Sequence, residues 1–341
     1  MAEDLARKEY TRLKALMGRQ EAGLPAPLKM SATLDEFEGL DMPQAPNARR
    51  AYRDSLKPIR SYFVGFLGDP RVDQVRGPDV VRFLDWRSTH RIGSSCKPVS
   101  ARTVQKDRAV LHRVFARAER RGYRDGNPVK LAEAPKSDGR QPVILTEGQF
   151  ESLLGQCKHY PMLNLYVLAL NETGARCESE MLWLRWEDID LEEGFVQIVS
   201  GRDGHRTKGG RSRWTPMTTR LRQAMRQHFA AYRFAVYGAQ PTPWLFHHLV
   251  SQRKHKAGER VKSFYDAFKG AAKRASLPPT FVQHDLRHRR VTTWLAEEKN
   301  PVHVRDAVGH ADLRTTMGYT HLVKENLRAL VEEPRKATKA G

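Results

Sequence analysis

The longest amphipathic pattern of the chain lies in its first half, in the stretch SARTVQKDRAVLHRVFARAERRGYRDGNPV. Apolar residues recur there at the spacing of one helical face, at Val104, Leu111, Val114, Phe115 and Ala118. Ser100 can cap the start of this helix, and Gly122 can follow its end. Shorter apolar patterns around residues 62–67 and 80–86 complete a predicted bundle of about four helices.

Two breaks in the pattern divide the chain. Residues 134–142, within EAPKSDGRQPVIL, are rich in proline, glycine and charge and lack apolar periodicity, as is typical of an interdomain linker. A looser boundary near residues 39–50 separates a helical domain, 46–133, from an N-terminal segment. We expect that segment, 1–45, to form one charged helix and a polar connector, and its function stays open.

After the linker, in residues 143–341, the pattern becomes mixed α/β. Thr146 and Gln149 have capping-box spacing, and two helices are predicted around the turn at Thr173 and Gly174. FVQIV and WTPM predict a β-hairpin with a basic, glycine-rich tip, which lacks the spacing of a P-loop. The remainder is predicted as helices, including a tail helix over 322–331. The fold class is therefore mostly α with a small β-hairpin.

The chain is strongly basic: it contains 59 Lys and Arg and 39 Asp and Glu, which gives a net charge of +20. Such an excess favours a polyanionic partner, most often nucleic acid. An anionic membrane is the alternative, but the chain has no apolar run of about 18 residues and no apolar signal core. We therefore expect a cytoplasmic, nucleoid-associated protein. Basic residues of the long helix and of the hairpin are the candidates for DNA contact: Arg102, Lys106, Arg113, Arg206, Arg211 and Arg213.

The cysteines and histidines give no metal site. The three cysteines, Cys96, Cys157 and Cys177, form no CxxC pair and are predicted to be reduced thiols. His284 and His288 in HDLRH have the spacing of a zinc-hydrolase helix. Three neighbouring arginines would repel a dication, so this alternative is weak. No metal or other cofactor is expected.

Cationic groups and a tyrosine at structural junctions of the second domain suggest one reaction, the transfer of a DNA phosphoryl group to tyrosine. Two arginines can hold the nonbridging phosphate oxygens. A histidine can accept the phenolic proton or hold the phosphate, and a lysine can protonate the leaving 5′ oxygen. The residues proposed for this reaction are Arg176, Lys208, His284, Arg287, His310 and Tyr319.

Four stretches, in the same order, resemble the boxes of the tyrosine recombinase, or phage integrase, family. They are TGARCESEMLWLRWEDID, TKGGRSRWTPM, HDLRHRR and VGHADLRTTMGYTH. The resemblance implies a core-binding domain before the linker and a catalytic domain after it, which clamp double-stranded DNA as a homotetramer. It implies the same six catalytic residues, with Tyr319 as nucleophile. The function it implies is integration or excision of a phage or mobile element, with an accessory directionality factor as a possible partner.

One departure and several alternatives stay open. The family places an acidic residue three positions after its first arginine, whereas Glu178 and Glu180 stand two and four positions after Arg176. Alignment on LRW favours Glu180 as the supporting carboxylate. The alternatives are a chromosome-resolving recombinase, a type IB topoisomerase-like enzyme and a noncatalytic DNA-binding protein. The docking of the tail helix, onto its own domain or onto a neighbouring protomer, also stays open.

Overall fold

The computed structural model describes residues 6–319, apart from 8–9, 12, 15–16, 19–20, 91–98, 138 and 238–239. Cys96 and the predicted tail helix therefore lie outside the described residues. The chain divides into two compact units, Met1–Gly139 and Arg140–Gly341. The division falls within the segment 134–142 predicted as a linker. Each unit has its own hydrophobic core.

The first unit is helical, and its core is built from the faces that the sequence pattern indicated. Ser100 caps the long helix by accepting a hydrogen bond from the Thr103 amide at 3.3 Å. Val104, Leu111, Val114 and Phe115 of this helix are fully buried. The helices are α1 (Met30–Leu40), α2 (Pro46–Arg60), α3 (Gly77–Thr89) and α4 (Ala101–Arg120), with a π-helical turn at Ser61–Phe66 and a 3₁₀ turn at Pro128–Leu131.

Helix α1 differs from the expected polar connector. Met30, Leu34 and Phe37 recur at helical spacing and are buried in the same core as α4. The Ser31 amide and hydroxyl both donate to the Asp69 carboxylate, at 2.8 Å and 2.7 Å. The apolar face of α1 consists of only these few residues, so it was too weak to predict a packed helix. The first core therefore begins before residue 46.

The second unit is built around a helix that is buried on nearly all sides, α6 (Pro161–Thr173). Thr146 and Gln149 form the predicted capping box at the start of α5 (Glu147–Cys157). The other helices are α7 (Thr219–Tyr232), α8 (Tyr265–Arg274), α9 (Gln283–Ala296), α10 (Pro301–Val308) and α11 (Leu313–Met317). No helix within the described ranges is long and apolar enough to cross a membrane.

The sheet contains one more strand than the predicted hairpin. Strands β1 (Ile189–Asp190), β2 (Phe195–Ile198) and β3 (Arg213–Pro216) pair antiparallel in that order. Val196 lies opposite Thr215. A separate small hairpin joins β4 (Val236–Tyr237) to β5 (Gln240–Pro241). The mostly α fold class with a small sheet is confirmed.

Two helices were predicted around the Thr173–Gly174 turn, and the prediction of the one that follows the turn is wrong. The structure has two short 3₁₀ turns there, Met181–Trp183 and Trp186–Asp188. The reason is that the backbone of this segment bonds to a distant one. The Trp186 amide donates to the Pro243 carbonyl at 3.1 Å, and the Leu184 carbonyl accepts from Leu245 at 3.0 Å. Local apolar periodicity carries no information about such partners.

Candidate active site

A glycine turn positions Arg176. Helix α6 ends at Gly174, whose φ of 62° lies in the left-handed region that favours glycine. A Cβ at this position would also lie 3.0 Å from Val308 Cγ1, so the turn packs tightly against α10. Arg176 follows two residues later, and its Nη2 donates to the Gly309 carbonyl at 3.1 Å. The turn thus joins the first arginine to the end of α10.

Glu180 holds two arginines in place. Its side chain is completely buried and accepts from the Arg176 amide at 2.9 Å and from Arg176 Nη1 at 2.5 Å. Arg213 Nη2 and Nη1 donate to the same carboxylate at 2.7 Å and 3.1 Å. Burial by itself raises the pKa of Glu180, but Arg213 and Arg176 outweigh it and lower the pKa to about 2. The carboxylate is therefore ionised at neutral pH.

The other candidate glutamate lies elsewhere. Glu178 is exposed, and its carboxylate accepts from the Ser263 hydroxyl at 2.5 Å. Of the two glutamates, Glu180 contacts Arg176. Residues 177–180, where the extra residue after Arg176 was predicted, form a turn in which the Glu180 and Met181 amides both donate to the Arg176 carbonyl, at 3.2 Å and 2.9 Å.

Arg213 differs from the expectation that it contacts DNA at the hairpin surface. Its side chain is 11% exposed, and its Nε donates to the Ala307 carbonyl at 2.9 Å. Its Nη atoms bond to Glu180, so the guanidinium group is engaged within the protein. The reason is its register: Arg213 lies opposite Ile198 at the start of β3, beside the end of α10. Arg206 and Arg211, nearer the tip, are exposed as expected.

Arg287 is the most buried cation of the site. It lies on α9, three residues after His284, and is 2% exposed. Its Nη1 donates to the Gly174 carbonyl at 2.6 Å, whereas its buried Nη2 has no hydrogen-bond partner among the described residues. Burial, and then the neighbouring Arg176, lower the pKa of Arg287 to about 10. The group stays cationic at neutral pH and keeps N–H donors for an anion.

Tyr319 lies between two histidines. Its ring centroid is 6.1 Å from that of His310, nearly parallel at 12°. It is 5.3 Å from that of His288, tilted by 35°. The ring packs on a small apolar cluster of α9 and α10. Burial raises the pKa of Tyr319, and Arg287 partly opposes this. The phenol is therefore protonated at neutral pH.

Both predicted histidines are neutral at physiological pH. Desolvation, with Arg287 and Arg176 as neighbouring cations, lowers the pKa of His310 to about 3. Desolvation, with His288 and Arg287 nearby, lowers the pKa of His284 to about 4. His310 Nδ1 lies 2.8 Å from the Thr316 hydroxyl, which fixes the orientation of its ring.

Lys208 lies at the exposed tip of the hairpin. It makes no hydrogen bond or ion pair with any residue that the structure describes. The adjacent tip residues Thr207, Gly209 and Arg211 line a cleft of about 510 Å³ together with Arg176 and His310. The cleft therefore lies between the hairpin tip and two of the candidate residues, Arg176 and His310.

Sequence reasoning missed three contributors to this site. His288 was considered only as a zinc ligand, although its position four residues after His284 placed it on the same helical face. Nothing in the sequence around Thr316 predicted its contact with His310. Arg140, in the predicted linker, pairs with the buried Asp285 and donates to it at 2.9 Å through Nη1. Asp285 also accepts from the Val282 amide at 3.0 Å and so caps α9.

The zinc alternative gains no support from the geometry. The rings of His284 and His288 lie 4.8 Å apart, but no third histidine, cysteine or carboxylate of the described residues completes a metal-binding group with them.

The predicted cations of the first unit lie on one exposed face. Arg102, Lys106 and Arg113 of α4 are all exposed and fall within about 40° of one another around the helix axis. Arg113 lies 5.5 Å from the centre of the Tyr52 ring.

Known proteins resemble this chain in sequence and in fold. The model of the phage integrase family matches residues 144–326, more than half of the chain. The chain belongs to the phage integrase family. It is therefore a tyrosine recombinase, an enzyme of site-specific recombination that cleaves and rejoins DNA.

Among the relatives of this recombinase are proteins named tyrosine recombinase XerD. The protein from Ralstonia nicotianae is 28% identical over 290 residues, covering 84% of this chain and 87% of its own. The protein from Neisseria meningitidis is 29% identical over 229 residues, covering 66% and 74%.

Solved structures show the same fold at low sequence identity. A Tn1549 transposon integrase in complex with a circular intermediate DNA has a TM-score of 0.69 at 18% identity, covering 89% of this chain and 100% of its own. A lambda integrase dimer bound to a COC′ core site has a TM-score of 0.65 at 15% identity, covering 95% and 84%.

Proposed function

We propose that the recombinase attacks a phosphodiester of double-stranded DNA with the Tyr319 hydroxyl and forms a 3′-phosphotyrosyl intermediate. The Tyr319 Oη–P bond forms as the P–O5′ bond breaks, and the 5′ hydroxyl leaves. A second 5′ hydroxyl then attacks the intermediate and restores the phosphodiester. The phosphotyrosyl ester keeps the energy of the broken phosphodiester bond, so rejoining needs no nucleoside triphosphate.

One observation supports this proposal most, the unpaired N–H donor of Arg287. Its Nη2 is buried without a partner among the described residues, and a buried unpaired cationic donor is costly unless an anion completes it. Arg176 lies close enough for its charge to lower the pKa of Arg287. In our proposal both arginines hold the nonbridging oxygens, on which negative charge grows in the transition state.

The other candidates have complementary roles in this proposal. Lys208 protonates the leaving 5′ oxygen, since its exposed ammonium can reach a backbone bound in the cleft. His310 and His284 are neutral, because their pKa values of about 3 and about 4 lie far below neutrality. Each donates a ring N–H to the phosphate. Arg102, Lys106, Arg113, Arg206 and Arg211 contact the DNA backbone.

For the biological role we propose integration and excision of a mobile element or phage, within the cytoplasm at the nucleoid. Support comes from the fold shared with a transposon integrase and lambda integrase. The recombinase would act as a homotetramer at specific DNA sites, with an accessory factor setting direction. The relatives named XerD keep a chromosome-resolving role as the second candidate.

The decisive test is a suicide DNA substrate that traps the covalent intermediate. Tyr319→Phe removes the attacking oxygen and little volume, so adduct formation should be abolished while DNA binding is retained. Tyr160→Phe is the matched control, since Tyr160 is 58% exposed and lies in the same unit. An adduct on the Tyr319→Phe variant would overturn the assignment. Relaxation of plasmids that lack a recombination site would favour the topoisomerase-like alternative.

A further inference from the structure

A third histidine, His288, lies against the tyrosine that we propose as nucleophile. Its ring centroid is 5.3 Å from that of Tyr319 and 4.8 Å from that of His284, to which it is perpendicular at 89°. No ring contact joins His284 to Tyr319 among the described residues. Of the two histidines on this face of α9, His288 is therefore the one in contact with the phenol.

The imidazole of His288 has spare hydrogen-bonding capacity. Its Nδ1 is buried and has no partner in the described part of the chain. A buried, unpaired ring nitrogen is costly, and such groups cluster at catalytic sites. His310, on the other side of Tyr319, differs because its Nδ1 is already bonded to Thr316.

The surroundings keep His288 neutral. Burial lowers its pKa; Asp285 opposes this, and Arg140 and Arg287 lower the pKa further. The remaining groups that face it are His284 on its own helix and Tyr319 after α11, with His310 beyond that ring. A neutral imidazole can accept a proton at pH 7, whereas the pKa of the Tyr319 phenol is raised and its proton needs an acceptor.

We propose that His288 is a catalytic residue that accepts the Tyr319 hydroxyl proton during DNA cleavage and returns it during rejoining. In cleavage the O–H bond of Tyr319 breaks, the proton moves to the His288 ring, and the Oη–P bond forms. The P–O5′ bond breaks, and the leaving oxygen takes a proton from Lys208. Rejoining reverses each transfer. His284 is then free to donate to a phosphate oxygen. This inference rests on the proposed role of Tyr319.

The first test is the pH dependence of single-turnover cleavage at saturating enzyme. His288→Gln and His288→Phe should slow cleavage at pH 7 by about 10²–10³-fold, the size of a general-base contribution. The wild-type rate should be flat from about pH 7 to about pH 9. The variant rates should rise about tenfold per pH unit, because Tyr319 must then ionise without help. His303→Gln, at an exposed position on α10, is the control.

The second test uses a more acidic phenol. A fluorinated tyrosine incorporated at position 319 needs less help to lose its proton. The deficit of His288→Gln should therefore shrink at least tenfold in the fluorinated protein, while the wild-type background changes little. A residue that only packs against Tyr319 would show the same deficit with both phenols and at every pH, and that result would overturn the proposal.

Two variants guard against a trivial loss of structure. Gln keeps a polar side chain and Phe keeps the ring volume, and each is assayed after its DNA affinity and thermal midpoint have been matched to wild type. If His288→Gln and His288→Phe cleave at the wild-type rate while Tyr319→Phe is inactive, the role of His288 is wrong and the proposed function still holds. An adduct on Tyr319→Phe would sink both.

Discussion

The arginine cluster and the hairpin tip hold their cations in opposite ways. The arginine cluster comprises Arg176, Arg213 and Arg287 around Glu180, and its guanidinium groups are bonded to the protein. The hairpin tip, residues 201–212, leaves Lys208 exposed without a hydrogen bond to the described residues. In the proposed reaction, the buried arginines are in place before the phosphate binds, whereas Lys208 approaches it from the surface.

The arginine cluster is prepared for an anion. Arg176 and Arg213 bond to the carboxylate of Glu180, whereas Arg287 interacts with it only through its charge, and burial lowers the pKa of Arg287 to about 10. A phosphate would relieve this excess of positive charge, and preorganised charge of this kind is usually the largest catalytic contribution. A proton donor has a different requirement, since it must reach the leaving oxygen only while the bond breaks. An exposed lysine on a turn suits that task.

The largest effect is expected at Arg287, the most buried cation of the arginine cluster. Arg287→Ala should slow single-turnover cleavage by about 10³-fold or more. Arg287→Lys should recover only part of the rate, because an ammonium lacks the planar fork that matches phosphate. Arg226→Ala, an exposed arginine on α7, is the control. Wild-type cleavage by Arg287→Lys would show that the buried geometry is unimportant.

The hairpin tip is tested by the chemistry of the leaving group. Lys208→Ala should slow cleavage of ordinary DNA by about 10²-fold or more, the range of general acid catalysis. A substrate with sulfur at the bridging 5′ position leaves as a thiolate and needs no acid, so the variant should recover on it. Arg176→Ala should not recover, since nonbridging charge develops on both substrates. Equal loss of Lys208→Ala on both substrates would remove Lys208 from catalysis.

Glu180→Gln tests the carboxylate that holds Arg176 and Arg213 in place. The change leaves Arg176 and Arg213 without their counter-charge, so the free energy of unfolding should fall by about 3–5 kcal/mol. The folded-state pKa of about 2 lies below the ordinary value of a glutamate. The stabilisation from Glu180 is therefore complete above pH about 4.5 and is lost as the pH falls toward about 2.

Urea denaturation of both proteins between about pH 3 and about pH 7 measures this difference. The two stabilities should converge toward the acidic end of that range. A constant difference at every pH would show that the loss comes from packing and not from the charge of Glu180.

The smallest expected effect on chemistry comes from the exposed face of α4. Arg102→Ala, Lys106→Ala and Arg113→Ala should each weaken DNA binding and reduce the slope of log affinity against log salt by about 1. Their cleavage rates at saturating enzyme should stay at the wild-type value. If a variant changes the cleavage rate at saturating enzyme but leaves the salt dependence of DNA affinity unchanged, this face acts on the active site and does not contact the DNA backbone.

Elements that depend on neighbouring residues could be predicted from the sequence alone. The apolar face of α4, its cap at Ser100, the capping box at Thr146 and the β2–β3 hairpin are all set by neighbouring residues. The four boxes also supplied the candidate site residues, because they contain distinctive residue types in a fixed order, and the chemical roles of these residues stay predictions. The family and the fold class followed from these features.

Which of these residues contact one another could not be predicted from the sequence and became clear in the folded chain. The sequence favoured Glu180 over Glu178, but the bonds from Glu180 to Arg176 and Arg213 became visible only in the folded turn, which leaves Glu178 exposed. Arg213 looked like a surface cation of the hairpin until its register placed it on Glu180. Arg140 contacts Asp285 across 145 positions of sequence. His288 contacts Tyr319 because the tyrosine packs on the apolar cluster of α9 and α10. The physical reason is that contacts between distant segments depend on backbone direction and burial, which local periodicity does not encode.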